Sequence, residues 1–193
     1  MNNALMDWSV LLPEIVLASG ICVLLVLDLF VRDSARDLSY LLAIFLLAGV
    51  AWVLIGTSPE STAQLAAGGA YVADDLARVL KLFAVTAVAT VFLYSRPWLR
   101  SRKLHFGEYY VLGLFGLLGV MVLASGYSLL VSYIGLEILS LSLYAMVAFD
   151  RDSARSAEAA MKYFVLGAIA SGTLLYGMSL IYGITGTLQI AEL

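Results

Sequence analysis

Long apolar runs alternate with short polar links along this chain, and none of the runs shows the two-residue alternation of a half-buried strand. Runs of about 17–25 apolar residues match the length an α-helix needs to cross roughly 30 Å of hydrocarbon. Six are predicted, at 9–31, 38–56, 76–95, 109–125, 128–149 and 157–182. A helix satisfies its backbone hydrogen bonds within the segment, which lipid demands of any spanning structure. The expected fold is therefore all-α, a polytopic bundle of six transmembrane helices.

The links refine that picture. Only a few residues around Gly126 separate the fourth and fifth runs, so these two should form a tight antiparallel hairpin. Gly113, Gly116 and Gly119 recur every three residues in the fourth run, and the sixth carries Gly167-x3-Ser171 and Ala168-x3-Gly172. Small residues at such spacings let membrane helices approach closely. The segment 57–75 (TSPESTAQLAAGGAYVADD) is small, polar and glycine-containing, and reads as an ordinary surface loop.

Charge placement gives an orientation. Arg32 and Arg36 follow the first run, Arg96, Arg100, Arg102 and Lys103 the third, and Arg151 and Arg155 the fifth. The N-terminal tail, the loop 57–75, the turn at Gly126 and the tail after Tyr182 carry no lysine or arginine. By the positive-inside rule the basic links are cytoplasmic and both termini lie outside, as expected of a multi-pass protein of the cell's inner (plasma) membrane. Trp8, Tyr94, Trp98, Tyr109 and Tyr110 sit at run ends as interfacial anchors, and the basic link 96–108 is suited to anionic headgroups of membrane lipids. No cleavable signal is expected, because the N-terminus lacks a basic region and the first apolar run is too long.

Composition agrees and narrows the chemistry. Hydrophobic residues make up 62% and charged residues 13%, and the mean hydropathy is +0.96. Soluble domains are nearer 45–50% and 25%. One cysteine, Cys22, and one histidine, His105, supply no disulfide, iron–sulfur, zinc or bis-histidine haem site, so no cofactor and no metal is expected of this chain. No nucleic-acid partner is expected either.

Against that background the ionisable residues inside apolar runs stand out. A carboxylate at bilayer depth costs about 2.5–3.5 kcal/mol on insertion scales, so it needs a partner, water or a role. Glu137 lies near the middle of the fifth run, sharing a helical face with Tyr133, Ser140 and Tyr144. Such a stripe can hydrate a proton-carrying carboxylate, and it can equally satisfy a structural one. Lys162, in the sixth run, shares its face with Leu166, Ile169, Thr173 and Tyr176. Two readings of it are open: a relay with Glu137, or an i,i+4 pair with Glu158 in which the lysine snorkels inward. If Glu137 and Lys162 faced each other at about 7 Å, with an effective dielectric near 20, their coupling would be about 2.4 kcal/mol. Lys81 either joins a buried polar path or snorkels outward toward Asp74 and Asp75. Snorkelling or local pairing accounts for Glu14 and Asp28, the latter beside Arg32, and Asp74 can pair with Arg78.

GLEILSLSLYAMVAF, followed by SAEAAMKYFVLGAIASGTLLYGMSLIYGITGT, resembles the subunit N family of the proton-pumping NADH–quinone oxidoreductase, respiratory complex I. LLPEIVLASGICVLLVLDLF and EYYVLGLFGLLGVMVLAS resemble the same family's first and fourth helices, so the likeness spans essentially the whole chain. Subunits of multisubunit Na⁺/H⁺ antiporters share the Glu and Lys pattern. The resemblance implies a fourteen-helix antiporter-like fold of two inverted repeats preceded by three helices. Residues 1–108 would then be those three helices with their cytoplasmic link, and residues 109–193 the first part of a repeat. It implies that Glu137 and Lys162 belong to a buried proton path, to which the reading of the residues adds Lys81, Tyr133, Tyr144 and Thr173 as secondary candidates. The expected partners are the other membrane-arm subunits of complex I, which would bind NADH and quinone. The later lysines and the second repeat of the family would lie beyond residue 193. A Na⁺/H⁺ antiporter subunit and a purely structural membrane-arm subunit are the alternatives.

Overall fold

The computed structural model describes residues 10–30, 37–56, 64–102 and 106–193. Trp8, Arg32, Arg36, Lys103 and His105 lie outside the described residues. Among the described residues there are six α-helices: α1 (Leu12–Phe30), α2 (Asp37–Gly56), α3 (Asp75–Arg102), α4 (Phe106–Ser125), α5 (Leu129–Val147) and α6 (Ala154–Thr185). All six are long and apolar enough to cross a membrane. α3 runs past its predicted end through Pro97 to Arg102, because the link that follows the apolar run is itself made largely of helix formers.

The helix ends have local causes. Ser128 opens α5 by accepting a hydrogen bond from Val131 N, and Ser153 opens α6 by accepting one from Ser156 N. Each supplies an oxygen to a backbone donor that the first turn leaves unpaired. Gly186 closes α6 at φ 72°, a left-handed conformation that a Cβ would penalise.

α4 is the pivot of the bundle. Its Tyr110, Leu114, Leu117 and Met121 are fully buried at helical spacing, against Leu17 and Ile21 of α1, Leu47 and Val50 of α2, and Val85 and Phe92 of α3. The glycines of α4 serve two neighbours. At Gly113 a Cβ would strike the Phe92 ring, whereas at Gly119 it would lie 2.5 Å from Leu139 N and 2.7 Å from Gly135 O of α5. α4 and α5 thus touch backbone to backbone, forming the predicted tight hairpin. α6 lies along α5 with most of its surface uncovered, and Ala160 is its buried residue.

The segment read as an ordinary loop is ordered over 64–73, where β1 (Gln64–Ala66) and β2 (Tyr71–Ala73) pair as an antiparallel hairpin. Gly68 and Gly69 make its turn at positive φ. The strands are too short for a periodicity signal, and the hairpin gains its order from its neighbours. Tyr127 N donates to Ala70 O at 2.9 Å, Leu129 N to Leu188 O at 2.9 Å and Ile190 N to Tyr127 O at 3.2 Å. The hairpin, the α4–α5 turn and residues 188–190 are thereby stitched together across one end of the bundle.

Candidate functional site

Glu137 sits half-buried in the middle of α5, on the side that meets α6. Ser171 of α6 donates its hydroxyl to Glu137 Oε1, and Tyr133 Oη lies 2.9 Å from Ser171 Oγ. Tyr133 and Glu137 are one helical turn apart, which is why both reach the same hydroxyl. The result is a carboxylate joined across a helix boundary to two groups that can each give and take a proton. Ser171 carried a signal in the sequence only as half of a small-residue packing pair, not as a partner for Glu137.

Lys162 is placed elsewhere. Its Nζ lies 2.6 Å from Glu158 Oε1 one turn earlier on α6, and the two side chains are 71% and 66% exposed. Ser171 is nine residues beyond Lys162, about 13 Å of helical rise. Ser171, which contacts Glu137, and Lys162, which pairs with Glu158, are thus separate positions along α6. Tyr144 turns to α6 by ring contact, edge-on to Tyr163 at 4.9 Å and Phe164 at 5.6 Å, beside Gly167. Thr173 is exposed and returns its hydroxyl to Ile169 O at 2.8 Å, an ordinary helical back-bond.

Lys81 and Glu14 differ from the snorkelling expectation. Both are buried, at 4% and 6% exposure, and Lys81 Nζ lies 2.7 Å from Glu14 Oε1. Lys81 also donates to Tyr71 Oη at 2.8 Å. The reason is the hairpin, which covers the end of the bundle toward which either side chain would have reached. Burial and the neighbouring Glu14 carboxylate push the Tyr71 phenol up from its ordinary value, so it stays protonated. Arg78, expected to pair with Asp74, instead donates to Leu54 O at 2.9 Å and Ile55 O at 3.2 Å, covering the last carbonyls of α2. Asp74 caps α3 by accepting from Ala77 N at 2.7 Å. Asp28 accepts from Ser39 Oγ of α2, across to the neighbouring helix, while the expected Arg32 partner lies outside the described residues. Among the described residues no three His, Cys, Asp or Glu side chains are grouped to hold a metal.

Comparison with known proteins gives the family context. Residues 126–193 match the family model described as NADH:quinone oxidoreductase/Mrp antiporter, TM. NADH-quinone oxidoreductase subunit N of Thioalkalivibrio sulfidiphilus is 55% identical over 187 residues, covering 96% of this chain and 38% of the relative. The subunit N of Thiobacillus denitrificans is 50% identical over 193 residues, covering all of this chain and 40% of the relative. This chain thus spans about two fifths of the length of these relatives. Among solved structures, a chain of respiratory complex I from Thermus thermophilus superposes with a TM-score of 0.75 at 30% identity, covering 92% of this chain and 38% of that one.

Proposed function

Since this chain belongs to the family of NADH-quinone oxidoreductase subunit N, we propose that it carries the first part of a proton-translocating path in the membrane arm of that oxidoreductase. The observation that carries the reading is the Glu137 site, an ionisable carboxylate at mid-helix hydrogen-bonded across α5 and α6 to the Ser171 hydroxyl, with Tyr133 next in line. Glu137 takes a proton and releases it, Ser171 orients the receiving oxygen, and Tyr133 extends the hydroxyl chain by one turn. Lys162 acts on Glu137 through its charge rather than by contact, most strongly when its ammonium swings away from Glu158. Tyr144, packed on the same α5–α6 seam, fixes the spacing of the two helices below the carboxylate.

On this reading the subunit is a translocase part with no redox group of its own, and NADH and quinone are bound by other subunits. Its partners are the remaining membrane-arm subunits and the lipids around them, in the cell's inner membrane with the N-terminus outside. Residues 109–193 begin the antiporter-like repeat. Each proton moved against 100 mV costs about 2.3 kcal/mol, so quinone chemistry elsewhere must drive the site. The test is Glu137→Gln in the full gene product within its assembled complex, read as NADH-driven proton uptake in vesicles. Loss of most uptake at normal complex abundance is expected, and unchanged uptake refutes the reading.

A second reading follows from the breadth of the matched family model, whose description names Mrp antiporters as well. Proton flux that depends on Na⁺ and proceeds without NADH oxidation would favour it.

A further inference from the structure

We propose that Glu14, Lys81 and Tyr71 form a second proton-exchange site, at the hairpin end of the bundle, in which a proton passes between the Lys81 ammonium and the Glu14 carboxylate. The proposal rests on the proton-translocating reading above and adds to it Glu14, a group remote from the Glu137 site.

Three observations carry it. First, the ionisable pair is enclosed: Glu14 of α1 and Lys81 of α3 are both more than nine-tenths buried and 2.7 Å apart. A buried ion pair is weak as a stabilising device, because well-packed apolar residues of the same volume hold a helix contact at least as well. Titratable groups kept at such a position inside a membrane bundle mark ion or proton traffic by default. Second, the groups hydrogen-bonded around the pair among the described residues include neutral hydroxyls. Tyr71 of β2 accepts from Lys81, and Ser125 at the end of α4 lies beside the Tyr71 hydroxyl. The nearby charges are turned elsewhere, Arg78 to the end of α2 and Asp74 to the first turn of α3. With no third charged side chain ion-paired to it among the described residues, the pair can pass from ammonium plus carboxylate to amine plus carboxylic acid without a change in net charge. Third, Glu14 lies in the first turn of α1, just after Val10 and Leu11, which pack on the hairpin residues Ala66 and Tyr71.

The step balances. An N–H bond of the Lys81 ammonium breaks as an O–H bond forms on Glu14, leaving a neutral amine and a neutral acid. Glu14 then gives its proton to water at the hairpin end, and the Lys81 amine takes the next proton from the membrane side. Tyr71 stays protonated and holds the lysine nitrogen in place through either state.

Lys81→Arg in the full gene product, assembled in its complex, separates proton exchange from simple pairing. A guanidinium keeps the charge and the ion pair but does not release a proton. Loss of most NADH-driven proton uptake at unchanged complex abundance is expected, together with loss of a Glu14-dependent carboxylic-acid band in infrared spectra that responds to external pH. Wild-type uptake in Lys81→Arg overturns the proposal. If Lys81→Arg does not assemble, the doubly neutral Glu14→Gln/Lys81→Met decides in the same way, and if neither assembles the pair serves folding and the proposal fails. Glu137→Gln run in parallel keeps the two ideas apart. Loss there with normal uptake in Lys81→Arg removes only the second site, while normal uptake in Glu137→Gln removes the reading beneath both.

Discussion

Ser171 of α6 gives its hydroxyl proton to Glu137 of α5, so the carboxylate is satisfied by the helix that also bears Lys162 but not by Lys162 itself. The link crosses between two elements and includes Tyr133. A hydrogen bond to a charged group contributes about 1.5–3 kcal/mol. Ser171→Ala should therefore leave the subunit assembled and lower NADH-driven proton uptake by less than Glu137→Gln does. Ser171→Thr, which keeps the hydroxyl, should recover most of the loss. Uptake measured in vesicles alongside complex abundance checks this, and a Ser171→Ala variant indistinguishable from wild type would show that the hydroxyl has no part in the path.

The Lys162–Glu158 pair leads to a contrast between partners. Both side chains are largely exposed in this chain, and an exposed i,i+4 pair is worth only about 0.3–0.5 kcal/mol. Glu158→Gln should then change proton uptake little. Lys162→Met should lower it while leaving assembly intact, because on the proposed reading it removes the charge that acts on Glu137. A larger loss from Glu158→Gln than from Lys162→Met would reverse the assignment.

The helices were legible because lipid imposes a length on each apolar run, and the α4–α5 hairpin because only a few residues around Gly126 separate the two runs. What the sequence did not disclose are relationships set by tertiary position. Lys81 and Glu14 lie far apart in the chain and become partners only because α1 and α3 both pack against α4. That hairpin has strands of three residues, below the length at which alternation can be seen. Ser171 has the same residue type and spacing whether it packs or donates, so only the geometry assigns it to Glu137. For Lys162 the everyday i,i+4 pairing is what the fold contains.

Close approach of α4 and α5 makes a stability prediction. A methyl group at Gly119 would meet α5 backbone at Leu139 and Gly135, and one at Gly135 would meet Leu123 of α4. Backbone cannot step aside as a side chain tip can, and overpacking costs about 1–3 kcal/mol. Gly119→Ala and Gly135→Ala should each lower the thermal stability of the detergent-solubilised subunit. An unchanged melting temperature in both would mean that the hairpin is looser than drawn.

Tyr71 gives the pH dependence. Its phenol is raised above the ordinary value of 10.0 in the folded chain by burial and by Glu14. Below about pH 10 both folded and unfolded chains hold the phenolic proton, and this term is constant. Above it the unfolded chain releases the proton while the folded chain keeps it, so stability falls as pH rises through the unfolded value. Denaturation followed from pH 9 to 11, both set on the order of one unit either side of that value, should show this alkaline loss in wild type. Tyr71→Phe should lack it, although it should be less stable at neutral pH because Lys81 loses an acceptor. An alkaline slope that persists in Tyr71→Phe would place the titration on another group.

The stitched end of the bundle turns orientation into a test with an internal control. Gln189 Nε2 donates to Gly68 O at 3.2 Å, so residues 68 and 189 must lie on one side of the membrane whichever way the chain inserts. Asp152, in the link between α5 and α6, lies at the opposite end of α6 from Gln189. By the positive-inside rule the arginines at 151 and 155 would put that link on the cytoplasmic side. Single cysteines at Gly68 and Gln189, in a Cys22→Ser background, should react with a membrane-impermeant maleimide added to intact cells. A cysteine at Asp152 should react only in inverted vesicles. Labelling of 68 and 189 from opposite sides would contradict the fold, whereas labelling of both only in inverted vesicles would keep the fold and reverse the orientation.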